Sequence, residues 1–217
     1  LMTSATITDR LVALSRALIG RIRGGLAQVN VLVSMFFAGM NGSVVADTAT
    51  VGALVLPAMK KAGYPAAFSA AVTGVSSTIG GIIPPSIMMI VLANATEISI
   101  AALFAAGIIP GILIGVVIMV INHYFAVKYN FERSDQPFSV RRAGKELYRS
   151  SFALLIPLVL VGSVMGGVAS VVEAGAITAL VALFTGVFVY RTIKWKDCTG
   201  AFRRAFRNSA MVFIIIA

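Results

Sequence analysis

Charged side chains are scarce in this sequence, and acidic ones are the scarcest. Only 12% of the 217 residues are charged and 8 residues are Asp or Glu, whereas 59% are hydrophobic. A water-soluble domain of this length cannot bury so much apolar surface. The charge-poor runs alternate with basic patches, which is typical of a polytopic α-helical membrane protein. We therefore predict an all-α fold that crosses the membrane several times.

Cysteine and histidine are nearly absent, with one residue of each, Cys198 and His123. A single cysteine excludes an internal disulfide and any multi-cysteine metal site, so we expect no transition metal. The formal net charge of +10 is compatible with a nucleic-acid partner. The basic residues flank apolar spans, however, and form no separate soluble face, so we reject that partner.

Two charge-poor runs, 24–59 and 62–96, are too long for simple spanning helices. A helix of about 35 residues would be about 50 Å long, against a hydrocarbon core of about 30 Å. Each run is also interrupted by glycine or proline near its middle, as AGMNGS at 38–43 and as TIGGIIPPS at 78–86. Such interruptions free backbone groups that lipid cannot satisfy. We expect both runs to be broken there.

The positions of the 18 Lys and Arg residues predict the topology. They fall in four groups: four residues within 1–23, the pair Lys60 and Lys61, six residues within 128–149 and six within 191–207. The positive-inside rule places all four groups on the cytoplasmic side. Since both flanks of the first run are basic, we predict a re-entrant hairpin with its tip near Met40–Ser43. The second run then crosses the membrane and breaks at Gly80–Pro85.

The N-terminal segment carries Leu11, Leu14, Leu18 and Ile22 at helical spacing with arginines between them, which indicates an amphipathic surface helix. The end of a preceding membrane span is the alternative. The predicted division of the chain is a cytoplasmic-surface helix (1–23), a re-entrant helical hairpin (24–59), a broken transmembrane helix (66–98), a transmembrane helix (101–127), a cytoplasmic connector (128–150), two transmembrane helices (151–190), a second cytoplasmic connector (191–207) and the start of a further transmembrane segment (208–217).

Hydroxyl and amide side chains flank both predicted breaks. Irregular backbone at membrane depth is tolerated only where it is buried in protein or lines a cavity. Free carbonyls of half-helices can bind a cation there, and free N–H groups can bind an anion. Neutral oxygen ligands suit Na⁺. They come from the side chains of Asn41, Ser43, Thr48, Ser76, Ser77 and Thr78 and from the carbonyls around Gly42, Gly80 and Gly81.

Asp47 is the one charged residue of the first run. A carboxylate at the bilayer centre costs about 2.5–3.5 kcal/mol on insertion scales, so it should face the protein interior or a cavity. Three roles are open for it: cation ligand, cap of a half-helix, or partner of an arginine such as Arg21 or Arg23. We favour a structural or indirect role. Glu97 and Glu173 fall at the outer ends of predicted spans, where we expect caps or turn residues.

Two segments, GGLAQVNVLVSMFFAGMNGSVVADTATVGALVLPAMKKAGY and FSAAVTGVSSTIGGIIPPSIMMIVLA, resemble the large membrane subunit of TRAP (tripartite ATP-independent periplasmic) transporters of bacteria and archaea. The similarity covers the chain from about Leu11 onward, through ALFAAGIIPGILIG and EAGAITALVALFTGVFVYR. There are departures: Asn41 stands where the family often has serine, Gly81 where it often has proline, and Val171-Val172 where it often has Pro-Thr.

The resemblance implies a sodium-coupled importer of an organic acid, such as a C4-dicarboxylate or a sialic acid, in the inner (cytoplasmic) membrane. A periplasmic solute-binding protein would deliver the carboxylate substrate, and a small membrane subunit of four helices would complete the complex. The family fold contains two inverted repeats whose hairpins move as an elevator. Because the chain starts at Leu1 and ends within MVFIIIA, we expect a fragment that holds the first repeat.

The resemblance also locates the binding sites. It implies a Na⁺ site between the two breaks, with ligands at Asn41, Gly42, Ser43, Ser76, Ser77, Thr78 and Gly80. It implies a substrate site beside it, at Ser43, Pro84, Pro85 and Ser86. Asp47 and Thr48 would support these ligands without contacting the ion. No cofactor is expected other than Na⁺ as the coupling ion.

Two other functions compete with transport. A structural membrane scaffold would use the breaks only as packing kinks. An intramembrane hydrolase would need a nucleophile with its base, or two facing aspartates. Asp47 is the one aspartate in a predicted membrane segment, and His123 falls at a helix end far from Ser43. We therefore expect no enzymatic activity.

Overall fold

The described part of the chain is helical throughout. The computed structural model describes residues 5–19, 22–131, 139–189, 199–200, 202–203, 205–207 and 210, without the side chains of residues 5–9, 41 and 189. Within these residues there are eight α-helices and no β-strand, in agreement with the predicted all-α class. The helices are α1 (Ala5–Ile19), α2 (Gly25–Asn41), α3 (Val44–Lys61), α4 (Ala66–Ser77), α5 (Ile87–Thr96), α6 (Ile100–Lys128), α7 (Val140–Met165) and α8 (Val171–Phe184).

Three of the helices are long and apolar enough to cross a membrane. They are α6, α7 and the continuous helix Val171–Phe188, in which a π-helical turn, Thr185–Val189, extends α8. Large apolar side chains such as Ile109 and Val120 are exposed on α6, which suits a helix that faces lipid. The protein is a multi-pass membrane protein, as the composition predicts.

The first charge-poor run forms two helices that pack against each other. Gly42 ends α2 in the left-handed conformation, with φ 58°, and Ser43 begins α3 in an extended conformation. The Ser43 hydroxyl caps α3 by accepting the backbone N–H of Ala46 at 3.4 Å. A β-carbon at Gly42 would collide with the carbonyl oxygen of Pro85. Glycine is therefore required at this turn by both its φ and its surroundings.

The second charge-poor run is also two helices. After α4, a 3-10 turn, Thr78–Gly81, leads into an irregular stretch that includes a cis peptide bond between Pro84 and Pro85. Ser86 then begins α5: its hydroxyl donates to the Gly81 carbonyl at 2.8 Å and accepts the N–H of Met89 at 3.4 Å. The two interruptions meet directly, because the N–H of Ile87 donates to the Gly42 carbonyl at 3.1 Å.

Helix α6 packs along this pair of interrupted segments through a column of glycines. Gly107 lies against the carbonyl of Ile82, Gly111 against Ile83, and Gly115 against Met35. No side chain longer than glycine would fit at these three positions without movement of its neighbours. Small residues allow helices to approach closely in membranes. As a result, the break lies beside the N-terminal half of α6.

Both outer ends of the α2–α3 pair lie at the C-terminal end of α6. At the start of α2, the guanidinium of Arg23 donates to the side-chain oxygen of Asn130 at 2.9 Å. At the end of α3, the ring of Tyr64 packs against that of Phe131, with centroids 4.7 Å apart. Aromatic side chains are enriched where membrane proteins meet the interface with water. The pair therefore starts and finishes at one end of α6, and its turn is bonded to the break that packs on the N-terminal half of α6.

The N-terminal helix α1 is part of the packed interior. Leu11 and Leu14 are buried, whereas Leu18 and Ile22 are exposed. The hydroxyl of Ser150 in α7 donates to the Arg10 carbonyl at 3.3 Å. Half of the predicted apolar stripe thus faces protein. Helix α7 begins within the predicted connector 128–150, and most of the predicted segments 191–207 and 208–217 lies outside the described residues.

The two acidic residues expected at helix ends are found there. Glu97 ends α5 in the left-handed conformation, with φ 56°. Glu173 belongs to a capping box at the start of α8: its carboxylate accepts the N–H of Ser170 at 2.8 Å, and the Ser170 hydroxyl accepts the N–H of Glu173 at 3.3 Å. Both are turn or cap residues, as their positions in the sequence predict.

Substitution of Gly42 by alanine should destabilise the protein. Alanine at a positive φ costs about 1–2 kcal/mol, and the added methyl group would also displace the Pro85 carbonyl. Thermal unfolding in detergent should therefore occur at a lower temperature for Gly42→Ala. Gly74→Ala is the matched control, because a β-carbon at Gly74, inside α4, meets no atom within 4 Å. Equal melting temperatures for Gly42→Ala and the unsubstituted protein would contradict the close contact at the turn.

Candidate functional site

Six polar side chains are buried together between α2, α3 and α4. Each has 2% or less of its surface exposed. We call them the buried polar cluster: Asn30, Ser34, Asp47, Thr73, Ser76 and Ser77. Polar groups in a membrane interior are costly unless they are paired, so such a concentration indicates a functional region.

Hydrogen bonds connect most of the cluster across α2 and α4. The amide nitrogen of Asn30 donates to the hydroxyl of Thr73 at 2.7 Å. The hydroxyls of Ser34 and Ser76 are 3.2 Å apart, and Ser76 is also 3.5 Å from the amide oxygen of Asn30. Ser77 donates to the Thr73 carbonyl at 2.8 Å. The cluster is thus a continuous network that ends near Asp47.

The carboxylate of Asp47 is fully buried and has no hydrogen-bond partner among the described residues. The hydroxyls of Ser77 and Ser34 are close enough to interact with it electrostatically, but neither contact has the geometry of a hydrogen bond. The proton of Ser77 is directed to the Thr73 carbonyl instead. The backbone of Gly80 packs beside Asp47, because a β-carbon there would be 3.8 Å from that of Asp47. Asp47 therefore lies between the turn and the break.

Of the three roles open to Asp47, the geometry disfavours two. Ser43 caps α3, and the Asp47 oxygens accept no backbone N–H. Arg23 is bonded to Asn130, and Arg21 lies outside the described residues. What remains is a fully buried carboxylate that lies close to the hydroxyls of Ser77 and Ser34. Such a set of oxygens suits a hard monovalent cation.

The other predicted cation ligands are found in different surroundings. Gly42, Ser43 and Gly80 lie where the turn meets the break, and Ser76 and Ser77 belong to the buried polar cluster. Thr78 is exposed, and its hydroxyl donates to the carbonyl of Val75 at 2.7 Å. The side chain of Asn41 lies outside the described residues.

The structure also describes the surroundings of Thr48 and of the predicted substrate-binding residues. Thr48 is exposed and donates to the Val44 carbonyl at 2.8 Å, a bond that only satisfies its own helix. Pro84, Pro85 and Ser86 are buried. The carbonyl of Pro85 lies against Gly42, and Ser86 caps α5. The structure thus brings these three residues to the turn of the α2–α3 pair.

Sequence reasoning did not identify Asn30, Ser34 and Thr73. The sequence does contain a signal for them, which is the regular spacing of polar residues along each helix. Asn30 and Ser34 are four residues apart on α2, and Thr73 is four residues before Ser77 on α4. Residues with this spacing share one face of a helix. Polar residues repeated on one face of an otherwise apolar helix predict a buried polar contact between helices. A prediction based only on the glycine and proline breaks does not include these residues.

Comparison with known families identifies the chain. The profile of the family described as "Tripartite ATP-independent periplasmic transporter, DctM component" matches residues 1–217. The chain is 35% identical over 216 residues to the C4-dicarboxylate TRAP transporter large permease protein DctM of Pseudomonas aeruginosa. It is 33% identical over 216 residues to the sialic acid TRAP transporter large permease protein SiaM of Vibrio cholerae.

A third relative is the 2,3-diketo-L-gulonate TRAP transporter large permease protein YiaN of Escherichia coli, with 33% identity over 217 residues. All three alignments cover 100% of this chain and 50% or 51% of the relative. The chain therefore spans about half the length of the curated relatives that it matches. The resemblance noted in the sequence is confirmed, and the chain belongs to the DctM component family of tripartite ATP-independent periplasmic (TRAP) transporters.

Proposed function

We propose that this chain is part of the large permease component of a sodium-coupled TRAP transporter that imports an organic acid. The substrates named for its relatives, C4-dicarboxylates, sialic acid and 2,3-diketo-L-gulonate, are organic acids. On this proposal a periplasmic solute-binding protein delivers the substrate, and a small four-helix membrane subunit completes the complex. The location is the inner membrane.

The buried, unpartnered carboxylate of Asp47 is the observation that carries sodium coupling. An isolated charge is strongly disfavoured in a medium of low dielectric constant unless an opposite charge compensates it. In the described part of the chain no cationic side chain pairs with it, and the nearby hydroxyls of Ser34 and Ser77 do not meet the geometry of a hydrogen bond. A Na⁺ ion bound beside Asp47, Ser34 and Ser77 would provide the compensation. This assigns Asp47 a direct role, where the sequence favoured an indirect one.

Four helix ends meet at the proposed site. Helices α2 and α4 end, and α3 and α5 begin, at or beside the contact between the turn and the break. Helix C-termini attract cations and helix N-termini attract anions. We place the coupling ion near the carbonyl ends and the acid group of the substrate near Ser43 and Ser86, which begin α3 and α5. Binding of each charge would favour binding of the other.

We also propose that the α2–α3 pair is a re-entrant hairpin that opens to the cytoplasm, within an elevator-type transporter. Three observations support the topology. Both ends of the pair lie at the C-terminal end of α6, its turn is bonded to the break that packs on Gly107 and Gly111 of α6, and Lys60, Lys61 and Lys128 lie at the shared end. The positive-inside rule assigns that end to the cytoplasm.

The competing functions have less support. A scaffold with simple kinks would not need a buried carboxylate, since apolar packing at that position would be more stable. A hydrolase would need a base near Asp47 or Ser43. His123 is instead exposed on α6, beside Asn122, whose backbone lies at Gly24 where the α2–α3 pair starts. We therefore propose transport without enzymatic activity.

Uptake should depend on a Na⁺ gradient and on Asp47. The full-length protein would be reconstituted into vesicles with its partner subunit and binding protein, and the uptake of labelled succinate and of sialic acid would be measured. Asp47→Asn should raise the half-saturating Na⁺ concentration at least about tenfold, since it removes a charged ligand. Thr48→Val is the control, because the Thr48 hydroxyl serves only its own helix. Uptake that is unaffected by the gradient would refute the proposed function.

The topology can be tested by cysteine labelling. Single cysteines would replace Ile22, Ala62 and Ile98 in a protein whose Cys198 is changed to serine, and a membrane-impermeant maleimide would be added from either side. Positions 22 and 62 should react from the cytoplasm only. Position 98, between α5 and α6, should react from the periplasm only. Labelling of positions 22 and 62 from opposite sides would rule out a re-entrant hairpin.

A further inference from the structure

We propose that Asn30 is a positioning residue for the cation site at Asp47. It makes no contact with the carboxylate. Instead, its amide fixes the direction of the hydrogen bond between Ser76 and Ser34, so that Ser34 presents oxygen lone pairs to Asp47. This inference rests on the proposed function, because it assumes that Asp47, Ser34 and Ser77 bind the coupling ion.

The orientation of the Asn30 amide follows from its neighbours. The Thr73 hydroxyl donates its proton to the Ser69 carbonyl at 2.9 Å, so it can only accept from Asn30. The atom of Asn30 that lies 2.7 Å from Thr73 must therefore be the amide nitrogen. The same nitrogen is 3.7 Å from the sulfur of Met59. Consequently the amide oxygen, which can only accept, faces Ser76.

The single proton of the Ser76 hydroxyl then has a preferred direction. The Ser76 hydroxyl oxygen lies 3.5 Å from the Asn30 amide oxygen and 3.2 Å from the Thr73 carbonyl oxygen, and both of these groups are acceptors only. If Ser76 donated to Ser34 instead, the buried amide oxygen would lose its donor, which is unfavourable. Ser34 is therefore the donor in its 3.2 Å contact with Ser76.

The consequence is an arrangement suited to a cation. Ser34 donates to Ser76, and Ser77 donates to the Thr73 carbonyl at 2.8 Å. In this arrangement neither hydroxyl donates to Asp47 in hydrogen-bond geometry, although both lie close to it, so both can turn lone pairs toward an ion bound beside the carboxylate. Without Asn30, the Thr73 carbonyl, which also accepts from Ser77, is the one acceptor-only group recorded for Ser76 in the described structure. Ser76 can then donate to Ser34 more readily, and the proton of Ser34 can reach Asp47. That hydrogen bond would compete with the ion.

Asn30→Leu should therefore weaken Na⁺ binding even though residue 30 does not contact the ion. The probe is Na⁺ alone: the melting temperature of the full-length protein in detergent would be measured at increasing NaCl, with choline chloride keeping the ionic strength constant. A bound ion stabilises the folded state according to its affinity. The Na⁺ concentration that gives half of the stabilisation should rise about threefold to tenfold, the usual effect of one hydrogen bond.

Gln28→Leu is the matched control. Gln28 is another buried amide of α2, but it donates to the Met119 carbonyl in α6 at 2.8 Å and lies outside the buried polar cluster. This variant should have a lower melting temperature with an unchanged Na⁺ midpoint. Thr73→Val, which removes the acceptor that orients the Asn30 amide, should raise the midpoint as Asn30→Leu does. Thr73→Ser, which keeps the hydroxyl, should restore it. If Asn30→Leu does not fold, the comparison of Thr73→Val with Thr73→Ser tests the positioning role of Asn30 instead.

The outcomes separate the two proposals. If the unsubstituted protein gains no stability from Na⁺, the proposed function fails and this inference fails with it. If Na⁺ stabilises the protein, Asp47→Asn abolishes the effect, and both Asn30→Leu and Thr73→Val keep the original midpoint, only the positioning role of Asn30 is refuted. A raised midpoint in Gln28→Leu of the same size would also refute it, since any buried amide would then suffice.

Discussion

The fully buried carboxylate of Asp47, which has no hydrogen-bond partner by geometry in the described part of the chain, is the constraint on which the rest of this structure depends. Asp47 is fully buried in the first turn of α3, and the helices around it place hydroxyl oxygens near it. Burial of a charge without compensation would cost several kcal/mol, of the same order as the whole stability of a domain. On the proposed function, a bound Na⁺ would offset this electrostatic cost, and the cost avoided would contribute to the affinity for the ion. The arrangement is therefore expected to be stable when it is loaded and strained when it is not.

The contact between the two chain interruptions satisfies backbone groups that would otherwise lack hydrogen-bond partners. It also lies beside Asp47, where we propose the ion site. Each interruption leaves N–H and C=O groups without helical partners, which lipid cannot satisfy. Here the interruptions satisfy each other through the bond between Ile87 and Gly42, and Ser43 and Ser86 cap the two new helices. Glycine is needed at position 42 because the backbones approach so closely. Asp47 lies beside this contact, next to Gly80, where we propose that the ion binds.

Much of this arrangement could be predicted from sequence, because it depends on local chemistry. The scarcity of charge indicated the membrane, and the glycine and proline interruptions indicated where each run would break; the structure has a turn at Gly42–Ser43 and an irregular stretch after Gly81. The two capping glutamates followed from their positions. The hydroxyl residues that precede the second interruption include Ser76 and Ser77, which are both buried, and Ser77 lies close to Asp47.

The rest could not be predicted from the breaks because it depends on helix rotation and packing. Thr78 and Ser77 are adjacent in sequence, yet Ser77 is buried and Thr78 is exposed, since consecutive residues of a helix point about 100° apart. The same geometry separates Thr48 from Asp47. Asn30 and Thr73 were missed for another reason: they are distant from the breaks in sequence and reach the site only through hydrogen bonds between α2 and α4.

Complete burial of Asp47 also constrains how an ion could exchange. No part of the carboxylate is accessible, so an ion can enter or leave only if neighbouring segments separate. The contacts that could open are unequal. The buried polar cluster links α2 and α4 by several side-chain hydrogen bonds, whereas the turn and the break are joined by the main-chain bond from Ile87 to Gly42 and by packing of Pro85. Separation at the turn breaks fewer polar contacts. It would also move Ser43 away from Ser86, the two residues proposed to bind the acid group. Ion exchange and substrate release would then require the same movement, which is the physical requirement for coupling the two fluxes.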